Sequence, residues 1–181
     1  MAEEHAELAR RCLEGDEDAL REFVGMFQQP VFVLCLRMLR HRQDAEDVAQ
    51  ESLVRAVRYL RSWDSSQPLT PWVMKIAANR CRTAMGKRSR HPVLTESVVE
   101  PSVSSETNQI GLAEELQRAL EILKDNQRLS FVMFYQQELS IAEISEIMEV
   151  PAGTVKTWLH RSRKQLAEYL LDRGITPQMP E

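Results

Sequence analysis

The sequence predicts an all-α protein: two small helical domains joined by a flexible linker, the C-terminal one a four-helix domain with a helix-turn-helix. Three observations predict it. Only 6 glycines and 6% aromatic residues stand against many Leu, Ala, Glu and Arg, a composition that favours helix over sheet. Apolar residues recur at i, i+3, i+4 and i+7 in one segment after another. The stretch from His91 to Gly111 is rich in Ser, Pro, Glu and Thr and keeps no period, as a linker does. The 181 residues suffice for two small domains, and a 43% apolar fraction excludes a disordered chain. The expected division is residues 1–90, a linker at 91–111, and residues 112–181.

The elements follow in order. Asp16-Glu-Asp suits a helix start, because carboxylates there satisfy free N–H groups and favour the helix dipole. Leu20, Phe23, Val24 and Phe27 continue it until Pro30, which is expected to interrupt or kink the helix. Val31, Leu34, Cys35, Met38 and Leu39 form a second apolar stripe. From about Asp44 to Leu60 a two-faced helix is predicted. Ala45, Val48, Ala49, Ser52, Leu53, Ala56, Val57 and Leu60 face inward; Asp44, Asp47, Glu51, Arg55 and Arg58 face outward, with Gln50 at the margin. A polar loop, Ser62 to Pro68, precedes a helix expected from about Pro71, which carries Trp72, Val73, Ile76 and Ala77. Beyond the linker, Leu112, Leu116, Ala119, Leu120 and Leu123 mark one helix. Leu129, Val132, Met133 and Tyr135 mark another, capped by Asp125.

Charge is segregated along the chain. The net charge is −4, but Trp72 to Arg90 holds Lys75, Arg80, Arg82, Lys87, Arg88 and Arg90 with no acid. Lys156, Arg161, Arg163 and Lys164, with His160, form a second acid-free basic run, while the stretch from Glu96 to Glu121 is acidic. Local basic patches of this kind matter more for a polyanionic partner than the total. Cys12, Cys35 and Cys81 are odd in number and widely spaced, with no CxxC pair and no neighbouring His cluster. That argues against a disulfide framework and a structural zinc site, and Cys35 should pack as a small hydrophobe. No metal or cofactor is expected. No run approaches the ~20 apolar residues of a membrane span, and the acidic N-terminus lacks a signal-peptide layout. A cytoplasmic protein without membrane insertion is the expectation.

The strongest motif lies near the C-terminus. Ser140-Ile-Ala-Glu143 is a capping box, opening a short helix whose Ile141, Ile144 and Met148 face inward. Glu149-Val-Pro-Ala-Gly153 supplies a turn. The next helix packs through Val155, Leu159, Ser162 and Leu166 and shows Thr154, Lys156, Thr157, His160, Arg161, Arg163 and Lys164 outward. A short helix, tight turn and second helix with hydroxyl and cationic side chains suit docking in the DNA major groove. Thr154, Lys156 and Thr157 are placed to reach base edges, and the later cations to hold phosphates.

Two blocks together resemble the extracytoplasmic-function (ECF) group of bacterial sigma-70-type sigma factors. The first is Asp44-Ala-Glu-Asp-Val-Ala-Gln-Glu51, continuing through Arg55-Ala-Val-Arg58 and Trp63-Asp64 to Pro71-Trp-Val-Met-Lys-Ile-Ala-Ala-Asn79. The second runs from Ser140 to Leu166 and contains Gly153-Thr-Val-Lys-Thr-Trp-Leu-His-Arg-Ser-Arg163. The resemblance implies a non-enzymatic subunit that directs core RNA polymerase to promoters. It implies polymerase contacts at Asp44, Asp47, Gln50, Glu51 and Arg55. It implies a flipped-base pocket of the minus-ten element in the loop with Ser65, Ser66 and Gln67. Lys75, Asn79, Arg80 and Arg82 would then face the melted strand, and Lys87, Arg88 and Arg90 its phosphates. The second block would read the minus-thirty-five duplex, and an anti-sigma factor is an expected partner. The rival reading is a conventional helix-turn-helix regulator that binds duplex DNA without polymerase. Such proteins usually add an α/β receiver domain, and nothing before Glu96 alternates strands with helices. An enzyme is disfavoured: the four histidines are scattered, and no phosphate loop or nucleophile arrangement is legible.

Overall fold

A computed structural model describes residues 2–90 and 115–174, apart from the side chains of residues 2 and 88–90. The expected linker at 91–111 therefore lies outside the described residues. Every regular element among the described residues is helical. The chain divides into two compact units, the first holding α1 to α4 and the second α5, α6, α8 and most of α7.

In the first unit, α1 (Ala2–Leu13) buries Leu8, Ala9 and Cys12 against its neighbours. Gly15, at φ 86°, ends it in the left-handed region that glycine enters without strain. Asp16 then caps α2 (Glu17–Leu39), its carboxylate accepting from the Asp18 and Ala19 N–H groups at 2.9 and 3.1 Å. Of the two outcomes expected at Pro30, interruption does not occur: α2 runs through it. A mid-helix proline costs about 3 kcal/mol. Phe23 and Phe27 before it and Val31, Leu34 and Cys35 after it are all buried, and burying each large apolar side chain contributes roughly 1.5–3 kcal/mol. Burial on both sides therefore outweighs the local defect. By length and hydropathy alone α2 could cross a bilayer, yet this stripe is packed against α3 (Arg42–Tyr59) and α4 (Leu69–Arg90).

His41 caps α3 by accepting the Asp44 N–H at its Nδ1. Ala45, Val48, Ala49, Ser52 and Ala56 are buried as the two-faced pattern requires, and the Ser52 hydroxyl is satisfied by donating to Val48 O. A 3-10 turn, Leu60–Ser62, follows. The next helix starts at Leu69, two residues earlier than expected, because Leu69 is itself wholly buried and is drawn into the core with Val73, Met74 and Ala77. The Cys35 and Cys81 sulfurs meet at 3.6 Å in this core. The hydrogen bond with Cys81, and then burial, push the Cys35 thiol far above its ordinary value, so it packs as a neutral hydrophobe.

In the second unit, α5 (residues 115–121) leads into α6 (Asp125–Tyr135), α7 (Ile141–Met148) and α8 (Ala152–Asp172). Asp125 is the first residue of α6 rather than its cap. The Gln127 side chain, reaching back to the Lys124 N–H at 3.3 Å, does the capping. Arg128 is buried, with 2% of its surface exposed, and donates to Leu120 O at 3.0 Å and Leu123 O at 2.9 Å. It thereby adds a second donor to Leu120 O, which also accepts from the Leu123 N–H at 3.2 Å, and supplies one to Leu123 O past the end of α5. α6 packs on α8 through Leu129, Val132 and Met133 on one side and Val155, Leu159 and Leu166 on the other.

Candidate nucleic-acid interface

The capping box that opens α7 is formed: Ser140 N–H donates to Glu143 Oε2 at 2.7 Å and Glu143 N–H to Ser140 Oγ at 3.2 Å. Ile144, Ile147 and Met148 anchor α7 from below. The turn departs from the sequence reading in one respect. Its left-handed residue is Glu149, at φ 57°, while Gly153 already lies inside α8. The turn is closed by Val150 N–H to Ser145 O at 3.1 Å and by the Ser145 hydroxyl to Val150 O at 2.6 Å. Pro151 opens α8, accepting from the Thr154 and Val155 N–H groups.

On α8, Val155, Leu159, Ser162 and Leu166 are buried as expected, and Ser162 is satisfied by Trp158 O at 2.8 Å. Lys156, Thr157, His160, Arg161, Arg163 and Lys164 are all exposed, whereas Thr154 is half-buried. The result is a helix fixed from behind that presents three hydrogen-bonding side chains in its first turns and cations farther along. That order allows base reading near the N-terminal end and phosphate anchoring beyond it.

The first unit presents two further polar surfaces. On α3, Asp47, Gln50 and Arg58 are exposed, and Asp44, Glu51 and Arg55 are half-buried. Glu51 is held from two sides: Oε1 accepts from Arg55 Nε at 3.1 Å and Oε2 from Arg80 Nη2 on α4. Burial alone would push the Glu51 carboxyl up, but these two guanidinium bonds outweigh it and keep the group below its ordinary value. Val54, 61% exposed, sits in the middle of this polar face. The sequence reading missed it, although an apolar residue four places after Gln50 and four before Arg58 was the available signal.

On α4, Lys75, Asn79 and Arg82 share one face by their spacing of four and three, and Asn79 Oδ1 accepts from Arg82 at 3.2 Å. Asn79 and Lys87 are exposed, Lys75 and Arg82 half-buried. Arg80 points instead to Glu51. The side chains of Arg88 and Arg90 lie outside the described residues. The loop before α4 presents Ser65, Ser66 and Gln67, all exposed. Asp64 holds it by accepting from Ser66 N–H at 2.9 Å on its carboxylate and from Gln67 N–H at 2.9 Å on its carbonyl. The Ser66 N–H, then the Ser66 hydroxyl, keep the Asp64 carboxyl below its ordinary value. Trp63 and Trp72 are both half-buried.

An all-helical chain of two units, one with a helix-turn-helix and an exposed basic face, defines a DNA-binding protein of transcription. Comparison with known proteins makes the class specific. Sigma-70 region 2 matches residues 23–91, and Sigma-70, region 4 matches residues 113–166. The chain is 32% identical over 177 residues to the ECF RNA polymerase sigma factor SigW of Bacillus subtilis (strain 168), covering 90% of this chain and 95% of that one. It is 30% identical to the ECF RNA polymerase sigma factor SigM of Mycobacterium tuberculosis (strain ATCC 35801 / TMC 107 / Erdman), covering 94% and 88%. Among solved structures, the sigma factor RpoE in complex with the anti-sigma factor NepR, from Bartonella quintana, shares the fold. Its TM-score is 0.73 at 22% identity, over 83% of this chain and 95% of that one. CnrH in complex with the cytosolic domain of CnrY gives a TM-score of 0.70 at 20% identity, over 92% and 96%. The chain belongs to the ECF RNA polymerase sigma factors. The family decides against the conventional-regulator reading.

Proposed function

We propose that this sigma factor divides its work between its two units. Residues 1–90 bind the clamp of core RNA polymerase through Asp44, Asp47, Gln50, Glu51 and Arg55, and capture the melted minus-ten strand. The loop of Ser65, Ser66 and Gln67 pockets a flipped base. Lys75, Asn79 and Arg82 line the strand, and Lys87, Arg88 and Arg90 neutralise its phosphates. Residues 112–181 read the minus-thirty-five duplex through Thr154, Lys156, Thr157 and His160, with Arg161, Arg163 and Lys164 on the backbone, and residues 91–111 link the two. The role is non-enzymatic and cytoplasmic and uses no cofactor. An anti-sigma partner belongs to the same proposal.

The observation that carries it is the face of α8: six exposed polar or cationic side chains on a helix whose opposite face is buried. The minus-ten assignment rests on the Asp64-held loop, since extruding a base costs a few kcal/mol and needs a preformed receptor. Holoenzyme assembled with this chain should make minus-ten thymines reactive to permanganate on a promoter template. Replacing Ser65, Ser66 and Gln67 by alanine should abolish that reactivity while leaving the polymerase complex intact. Unchanged reactivity in the triple variant would remove the loop from the mechanism.

A further inference from the structure

We propose that Arg80 is a positioning residue: it holds the Glu51 carboxylate in place on the polymerase-facing side of α3 and does not itself touch promoter DNA. The inference rests on the proposed polymerase face of α3.

Position on α4 is the first reason. Lys75, Asn79 and Arg82 keep to one face, whereas Arg80, one residue past Asn79, is turned about 100° away from it. Its side chain is only 20% exposed and reaches across to Glu51, 29 residues earlier in the chain. Arg80 Nε is buried and finds no hydrogen-bond partner among the described residues. A guanidinium with one unsatisfied buried donor is held there by its pairing with Glu51, since leaving such a donor unmade is costly.

Electrostatics is the second reason. Glu51 neutralises one of the two guanidiniums bound to it, so this cluster offers a phosphate strand less than its two arginines would alone. The carboxylate itself gains. Despite burial it stays ionised. Oε1 faces both Nε and Nη2 of Arg55 at 3.1 Å, while Oε2 holds Arg80 alone and retains a lone pair for a cation on a partner. A glutamate fixed before encounter also avoids losing rotamer freedom on binding, which is how preorganisation raises affinity.

The test uses the full chain. Equilibrium affinity for sigma-free core polymerase is measured for the native chain, Arg80→Ala, Arg80→Lys, Glu51→Gln, the Arg80→Ala/Glu51→Gln double variant and Asp47→Ala. The salt dependence of binding to a labelled single-stranded DNA oligonucleotide is then measured for each holoenzyme at saturating core, with Arg82→Ala as comparator. Arg80→Ala should weaken core binding on the order of tenfold, and that loss should vanish in the Glu51→Gln background. Arg80→Lys, which keeps the charge on a single donating nitrogen but loses the planar fork, should recover part of the affinity, and it carries the same comparison if the alanine variant does not fold. The salt slope should fall for Arg82→Ala and stay unchanged for Arg80→Ala. A slope lowered by about 0.7 in Arg80→Ala with core affinity intact would make Arg80 a phosphate contact. Additive losses from the two substitutions would equally overturn the positioning role. Core affinity indifferent to both Asp47→Ala and Glu51→Gln would remove the polymerase face itself, and this role with it.

Discussion

Arg128 shows how a single residue can carry an element boundary. Its guanidinium is enclosed, bonded to Leu120 O and Leu123 O, with Asp125 Oδ1 at 3.4 Å. No local pattern hints at this, because an arginine at a helix start reads as a solvated charge. Only the end of α5 arriving beside it turns it into a cap. Arg128→Ala should cost about 3 kcal/mol in chemical denaturation, since it deletes charge-assisted bonds from a buried group and takes from Leu123 O the donor that satisfies it. Arg128→Lys should rescue little of that, because one ammonium cannot reproduce a planar fork. Asp16 makes a prediction in pH. The Ala19 N–H, and then Arg11, hold its carboxyl below the ordinary 3.8. Its charge therefore stabilises the fold above that value, and the contribution disappears as pH falls through the lowered folded value. Asp16→Asn keeps a capping oxygen but no charge. Its melting temperature should sit below that of the native chain near neutral pH, and the gap should close in strong acid.

At the scale of elements, legibility tracked periodicity and capping chemistry. The α3 stripe and the Ser140–Glu143 box were readable because both are local patterns with one geometric solution. α1 was not anticipated, although Leu8 and Cys12 at helical spacing before Gly15 were the signal, because the acidic N-terminus was weighed only as a targeting segment. At Pro30, where an interruption or a kink is expected, the helix is not interrupted, because apolar burial on both sides of a residue is a tertiary quantity that local propensity does not contain. The turn before α8 begins where the sequence places it but ends two residues sooner: Glu149 takes the left-handed conformation, and Ala152 and Gly153 are already helical. α8 itself carries the sharpest element-level prediction. Lys156→Ala and Arg163→Ala should both weaken duplex binding by the holoenzyme, but only a phosphate contact lowers the salt slope without changing sequence preference. Arg163→Ala should lower the slope by about 0.9 per lost contact. Lys156→Ala should instead relax discrimination among minus-thirty-five sequences.

For the whole molecule, charge segregation was the sequence feature most informative about function. A net charge of −4 would turn attention away from DNA. The folded chain nonetheless presents exposed cations along α8 and polar, partly cationic side chains along α4. What the sequence did not reveal is that these surfaces are coupled by packing: Arg80, grouped with the DNA-facing cations, belongs to the cluster around Glu51 on α3. Such a contact joins residues 29 positions apart and leaves no trace in a local pattern. Whether this chain joins core polymerase as a subunit is decided by size-exclusion chromatography of the full chain mixed with sigma-free bacterial core polymerase. The native chain should co-elute with the core enzyme and Asp47→Arg should not. Failure of the native chain to join a compatible core enzyme, together with tight dimeric binding to duplex DNA on its own, would contradict the account.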